Sequence, residues 1–211
     1  MIVPDLIAIT DPALSDDELI ERAEQILTAV PPSSVAVQLR DKARPAARIL
    51  ALAERFKIVC RRFAAPLYLN DRIDVALAAG ADGVHLGAGS VTIAEARSLL
   101  GARAFVSLAA HTIEDVERAG RDGATAALLS PIFAAVGKGP GRGVAFLSEG
   151  RQRAPELALF ALGGVGVGEI GACTRAGAHG VAAIRAVWHA DRPAAAASSM
   201  VTAIRAARRM S

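Results

Sequence analysis

Hydrophobic residues fall along this chain in short, nearly unbroken runs, separated by stretches in which apolar positions recur every three or four residues. The runs are LIAIT (6–10), VAVQL (35–39), PLYLN (66–70), DGVHL (82–86), AFVSL (104–108), TAALLS (125–130), ALFAL (158–162) and GVAAI (180–184). A strand with one wet face alternates apolar and polar residues. Continuous runs of this length instead suit parallel strands buried on both faces. Stretches 15–27, 45–63, 71–79, 92–100, 112–121, 166–176 and 193–209 carry helical patterning. The first of them opens with Ser15 and Glu18, the spacing of a capping box. A weak repeat runs through AGADGVHL (79–86), DGATAALL (122–129) and AGAHGVAA (176–183), in which Gly80, Gly123 and Gly177 suit the left-handed position that stops a helix. Strand–helix alternation of this kind predicts a (β/α)8 TIM barrel, one domain over residues 1–211, with an open doubly wound sheet as the alternative.

Composition narrows the classes of function. The chain is 53% hydrophobic and 21% charged, and no apolar run reaches the roughly 18 residues of a membrane span. The start, MIVPDLIAITD, has no basic segment of the signal-peptide kind. Cys60 and Cys173 lie far apart without metal spacing, so two free buried thiols and a cytoplasmic location are expected. The net charge of +3 is spread along the chain, and aromatics are only 4% of residues, too few for base-stacking platforms. Nucleic acid is therefore not the expected partner, whereas anionic small molecules are, and self-association stays open. Arg205, Arg208 and Arg209 fit the cationic end of the last barrel helix better than a membrane-surface helix.

A barrel carries its chemistry at the C-terminal ends of its strands, and polar residues gather there. Strand 1 runs into Thr10 and Asp11; strand 2 into Gln38, Arg40, Asp41 and Lys42; strand 3 into Asn70, Asp71 and Arg72. His85 ends strand 4, His111 follows strand 5, Ser130 and Pro131 end strand 6, Gly163 and Gly164 end strand 7, and Arg185 ends strand 8. Bare glycine backbone followed by a helix N-terminus suits phosphate, or is an ordinary turn. Arg40, Lys42 and Lys138 form a candidate anion pocket. Asp71 is a candidate metal ligand, although Asn70 and Asp71 could equally cap the next helix. His85 and His111 are candidate proton carriers, or structural histidines. After strand 6 comes VGKGPGRG (136–143), which fits neither a P-loop nor a dinucleotide fingerprint: Gly139 stands where a P-loop has Ser or Thr, and Val144 where the third fingerprint glycine would be.

The blocks ITD (9–11), QLRDK (38–42), LNDRIDVALAAGADGVHLG (69–87), AHTIED (110–115), SPIF (130–133), LGGV (162–165) and AGAHGVAAI (176–184) resemble the thiamine phosphate synthase/TenI superfamily, in order and at its intervals. The resemblance implies a barrel of thiamin biosynthesis that binds small phosphate esters, thiazole phosphate and pyrimidine diphosphate. Two activities are implied. One is a Mg²⁺-dependent transferase, in which pyrophosphate leaves and the thiazole nitrogen attacks the resulting pyrimidine cation. The other is a metal-free thiazole tautomerase. A non-catalytic phosphate-ligand sensor is the alternative. By the resemblance, Gln38, Arg40 and Lys42 contact pyrimidine and pyrophosphate, Asn70 contacts pyrimidine, and Asp71 binds Mg²⁺. Lys138 holds pyrophosphate, and Gly163 and Gly164 hold the thiazole phosphate.

Six positions depart from the synthase pattern. Ala88 replaces a glutamine, Ser90 the second Mg²⁺-binding aspartate, Ala109 a pyrophosphate serine, Ala135 and Gly137 two threonines, and Arg185 a serine after strand 8. GSV (89–91) and GRGV (141–144) resemble the TenI branch, yet Pro131 stands where the tautomerase histidine would be, leaving His85 or His111 to move protons. The glycines of 136–143 mark a looser loop than the synthase's.

Overall fold

The computed structural model describes residues 2–87, 89–135 and 139–210. Its strands are β1 (Leu6–Ile9), β2 (Val35–Leu39), β3 (Leu67–Asn70), β4 (Gly83–Leu86), β5 (Phe105–Ala110), β6 (Ala126–Leu129), β7 (Ala158–Leu162) and β8 (Gly180–Ala183). All neighbours are parallel, and β8 pairs back onto β1, so the sheet closes in the order β1 to β8. The open-sheet alternative is thereby excluded.

The helices are α1 (Asp16–Thr28), α2 (Ala46–Arg62), α3 (Ile73–Ala79), α4 (Ile93–Leu100), α5 (Ile113–Arg121), α6 (Ala145–Arg153), α7 (Val167–Arg175), α8 (Arg185–Trp188) and α9 (Pro193–Met210). Ser15 and Glu18 form both bonds of the capping box at α1. Gly80, Gly123 and Gly177 all have positive φ, as the repeat required. The pattern did not single out α6. Its entry residue, Val144, offers no side-chain cap, and Gly150 interrupts its apolar face. That glycine has a packing reason, since a Cβ there would lie 3.2 Å from the Leu129 side chain.

Strand alternation splits the core into two layers. Ile7, Ile9, Ala36, Tyr68, Phe105, Leu128 and Phe160 fill the barrel interior, with Tyr68 and Phe105 stacked at 4.2 Å between ring centroids. Residues of opposite parity, such as Leu6, Ala8, Val37 and Leu69, pack outward under the helices. At the N-terminal end, Arg205 and Arg208 of α9 both reach the Asp5 carboxylate, at 2.7 and 2.8 Å. Arg205 and Arg208 thus clamp the last helix to the barrel base. Both cysteines are free and buried, and no helix of the described residues is long and apolar enough to cross a membrane.

Candidate active site at the barrel mouth

The same alternation that buries Ala36 and Tyr68 inside the barrel directs Gln38 and Asn70, two residues on, to its mouth. There the two side chains meet. Gln38 Nε2 donates to Asn70 Oδ1 at 3.1 Å, and Asn70 Nδ2 donates to Asp71 Oδ2 at 2.6 Å. Gln38 is 1% exposed, and its Oε1 is buried with no partner among the described residues. A buried amide oxygen without a donor costs about 1–3 kcal/mol, so a ligand N–H is the natural complement. Neither Asn70 nor Asp71 caps α3: Arg72 occupies the N-cap position, without a side-chain bond. The capping alternative is corrected accordingly.

Asp71 has a φ of +62°, a left-handed conformation uncommon outside glycine. Its N–H donates to His85 O at 2.8 Å, which fixes this turn against β4. Asp71 Oδ1 accepts from Gly87 N at 2.8 Å and from the Ser90 hydroxyl. Ser90 therefore reaches the carboxylate it was expected to accompany, but as a hydrogen-bond donor. Asp71 Oδ2 accepts one bond and keeps a lone pair. Among the described residues no cluster of three or more His, Cys, Asp or Glu could hold a metal. The donor set fits Mg²⁺ only as a single-carboxylate site completed by phosphate oxygens and water, an arrangement Mg²⁺ does use.

The two histidines differ sharply. His85 is 7% exposed, and its Nδ1 lies 2.9 Å from Ser107 Oγ on β5. Burial pushes its pKa down to about 4, with the Arg40, His111 and Lys42 charges acting in the same direction and Asp71 against them. Its imidazole is neutral at pH 7. His111 is exposed, with Nδ1 3.0 Å from Ser130 O. Its backbone N–H is bound by Asp115 at 2.9 Å, and its carbonyl accepts from Arg142.

Cations complete the mouth. Thr10 Oγ1 accepts from Arg40 N at 2.9 Å and donates to Arg40 O at 3.3 Å, pinning that backbone at both polar atoms. Arg40, half-buried, and Lys42, exposed, make no ion pair among the described residues, so both charges are free for an anion. Lys138, Gly137 and Ala88 lie outside the described residues.

Across the mouth, β6 to β8 and the turn after β1 enclose a cavity of about 500 Å³, lined by Asp11, Ser130, Pro131, Gly163, Gly164 and Arg185 among others. Gly163 and Gly164 have φ of +97° and +63°. A Cβ on Gly164 would lie 2.6 Å from Ala134 O, so only glycine lets the strand 7 turn seat against residues 133–134. Arg185 is not a strand end: β8 stops at Ala183, and Arg185 begins the short helix α8 on the cavity wall. Beside it, His189 Nε2 is 3.1 Å from Asp11 Oδ2.

The returning half of the glycine-rich segment is not loose. Arg142 N donates to Pro131 O at 2.9 Å, and Gly143 N to Ile132 O at 2.8 Å. A Cβ on Gly141 would lie 2.4 Å from Ile132 O, and the Arg142 guanidinium sits 4.2 Å from the Phe146 ring centroid. Gly141 permits close backbone packing and Gly143 takes a left-handed φ of +74°, so residues 141–143 are held and not loose.

A family model described as thiamine monophosphate synthase matches residues 6–187. A thiamine-phosphate synthase of Roseiflexus castenholzii is 39% identical over 168 residues, 78% of this chain and 73% of its own. One of Anaeromyxobacter dehalogenans is 39% identical over 187 residues, 87% of this chain and 83% of its own. The solved thiamine phosphate pyrophosphorylase of Pyrococcus furiosus superposes with a TM-score of 0.85, covering 96% of each chain at 23% identity, a likeness of fold.

Proposed function

The chain belongs to the thiamine monophosphate synthase/TenI family, and from that premise we propose that it is a cytoplasmic transferase joining a pyrimidine diphosphate to a thiazole phosphate. The observation that carries the reading is the bonded row Gln38–Asn70–Asp71, with the orphaned Gln38 Oε1 at its inner end. The row sets a buried acceptor for a heterocycle's N–H beside a carboxylate and two unpaired cations. That is the complement of an aminopyrimidine bearing a diphosphate.

In the proposed reaction the bond between the pyrimidine methylene carbon and the diphosphate oxygen breaks, the electron pair leaving with oxygen. The thiazole nitrogen then gives its lone pair to that carbon, forming the C–N bond. Gln38 Oε1 accepts the pyrimidine amino N–H and orients the ring. Arg40, Lys42 and Lys138 stabilise charge as it gathers on the departing diphosphate, where such contacts lower the barrier. Asp71 would hold Mg²⁺, which when bound shares that diphosphate charge. On the facing wall, backbone N–H groups at Gly163 and Gly164 and the Arg185 guanidinium take the thiazole phosphate. Arg185 makes no ion pair among the described residues, so it is free to replace the family's serine with a charged, fork-shaped contact. The two wet arcs of the mouth thus hold two phosphate esters face to face, which lowers the entropic cost of joining them.

Relatives at 39% identity named thiamine-phosphate synthase support this activity over the tautomerase, as does Pro131 at the tautomerase histidine's position. The test is diphosphate release from the two substrates with Mg²⁺. Release that needs both substrates supports the transferase. Conversion of a thiazole carboxylate phosphate alone, without metal, would replace it with the tautomerase.

A further inference from the structure

His85 and Ser107 are register partners on β4 and β5. Ser107 is 1% exposed, and its hydroxyl has one partner among the described residues, His85 Nδ1 at 2.9 Å. A serine hydroxyl carries one hydrogen, and in a buried site that hydrogen needs an acceptor. Among the described residues only Nδ1 is available. Nδ1 must then be the bare nitrogen, and the imidazole hydrogen must sit on Nε2. Nε2 itself has no protein partner among the described residues.

The position of the serine sharpens the point. Ala109 stands two residues further along β5, on the same face, where the family pattern has a pyrophosphate serine. At about 3.3 Å per residue, this chain carries its hydroxyl roughly 6.6 Å deeper, against a histidine instead of a ligand.

We infer that Ser107 is a positioning residue that locks His85 as the Nε2–H tautomer, making it a neutral hydrogen-bond donor toward the ligand at the mouth and not a general base. The inference rests on the transferase reading for what that ligand is, an acceptor on the diphosphate or pyrimidine, but the tautomer follows from the buried pair alone. A fixed N–H on Nε2 would offset part of what a serine hydroxyl at position 109 supplies. It also removes His85 as the proton-accepting group of a tautomerase.

The test has two arms. Imidazole ¹⁵N shifts of the wild-type protein at pH 7.5 are read without substrate. A bare Nδ1 with a protonated Nε2 is expected, and a protonated Nδ1 would overturn the inference whatever the enzyme's activity. In Ser107→Ala the Nδ1 preference should fall toward a tautomer mixture. Turnover is the second arm. Glutamine presents an amide N–H near the Nε2 position, so His85→Gln should keep activity within about tenfold of wild type while His85→Ala loses more. Ser107→Ala should cost roughly five- to tenfold in the wild-type background and little in His85→Gln. Abolition by His85→Gln with the ¹⁵N result intact would overturn the donor role. A wild-type protein without transferase activity would sink the functional reading alone and leave the tautomer result standing.

Discussion

Gly164 and Gly80 share nearly the same left-handed backbone, φ +63° and +60°, yet their surroundings are opposite. Around Gly80 an added Cβ meets nothing within 4 Å, whereas at Gly164 it would lie 2.6 Å from Ala134 O and 2.9 Å from Phe133 Cβ. Gly80→Ala should therefore cost only the left-handed penalty, about 1–2 kcal/mol. Gly164→Ala carries that penalty plus the displacement of a backbone carbonyl, which overpacking data put at about 1–3 kcal/mol. The two variants should differ by that second amount, with Gly164→Ala losing about 2–5 kcal/mol in all. Urea midpoints at constant slope measure the pair, and titration with thiazole phosphate measures the site. Gly164→Ala should weaken thiazole phosphate at least tenfold, while Gly80→Ala, on the far end of α3, leaves binding alone. Equal midpoints for the two variants, or unchanged binding by Gly164→Ala, would refute the close seating of the strand 7 turn against residues 133–134.

Other expectations follow from the same geometry. Arg185→Ser should raise KM for thiazole phosphate by roughly 10–100-fold, the worth of a charge-assisted contact; an unchanged or lower KM in steady-state assays would mean that Arg185 fills the pocket instead. Ser90→Asp adds an oxygen ligand beside Asp71, and the Mg²⁺ concentration giving half-maximal rate should fall roughly tenfold. Asp71→Asn should lower kcat by about a hundredfold, without loss of thiazole phosphate binding on the opposite wall. His85 has a folded pKa lowered to about 4 from an ordinary 6.5, so the unfolded chain binds its proton first. Stability should be full above pH 6.5 and decline as pH falls toward 4, a decline that His85→Gln flattens in thermal scans.

The barrel was legible because its strands are buried on both faces and its helix stops are glycine. LIAIT, VAVQL and their counterparts needed no tertiary information, nor did Gly80, Gly123 and Gly177. Helix α6 was not legible, because Gly150 breaks its apolar face for the sake of contact with Leu129, and only packing reveals that. At the mouth, Gln38, Asn70 and Asp71 could be named from strand ends, but their bonded row depends on register across β2 and β3. Ser107 was invisible for a related reason: inside the apolar run AFVSL it reads as core, and its meaning lies in a partner 22 residues earlier on the neighbouring strand β4. Arg185 was visible as a departure, and the start of α8 then placed it on a cavity wall. Cross-strand pairing and a glycine placed by packing inside a helix are the two things a linear pattern hides here.

On the proposed reading, one barrel mouth holds two phosphate esters and joins them. Rapid-quench measurement of diphosphate release, with pyrimidine diphosphate and thiazole phosphate present singly and together and with and without Mg²⁺, addresses it most directly. Coupled product, with one diphosphate for each molecule formed, is expected only when both substrates and Mg²⁺ are present. Binding of both ligands without any coupled product would contradict it, and would leave a phosphate-ligand sensor on this barrel.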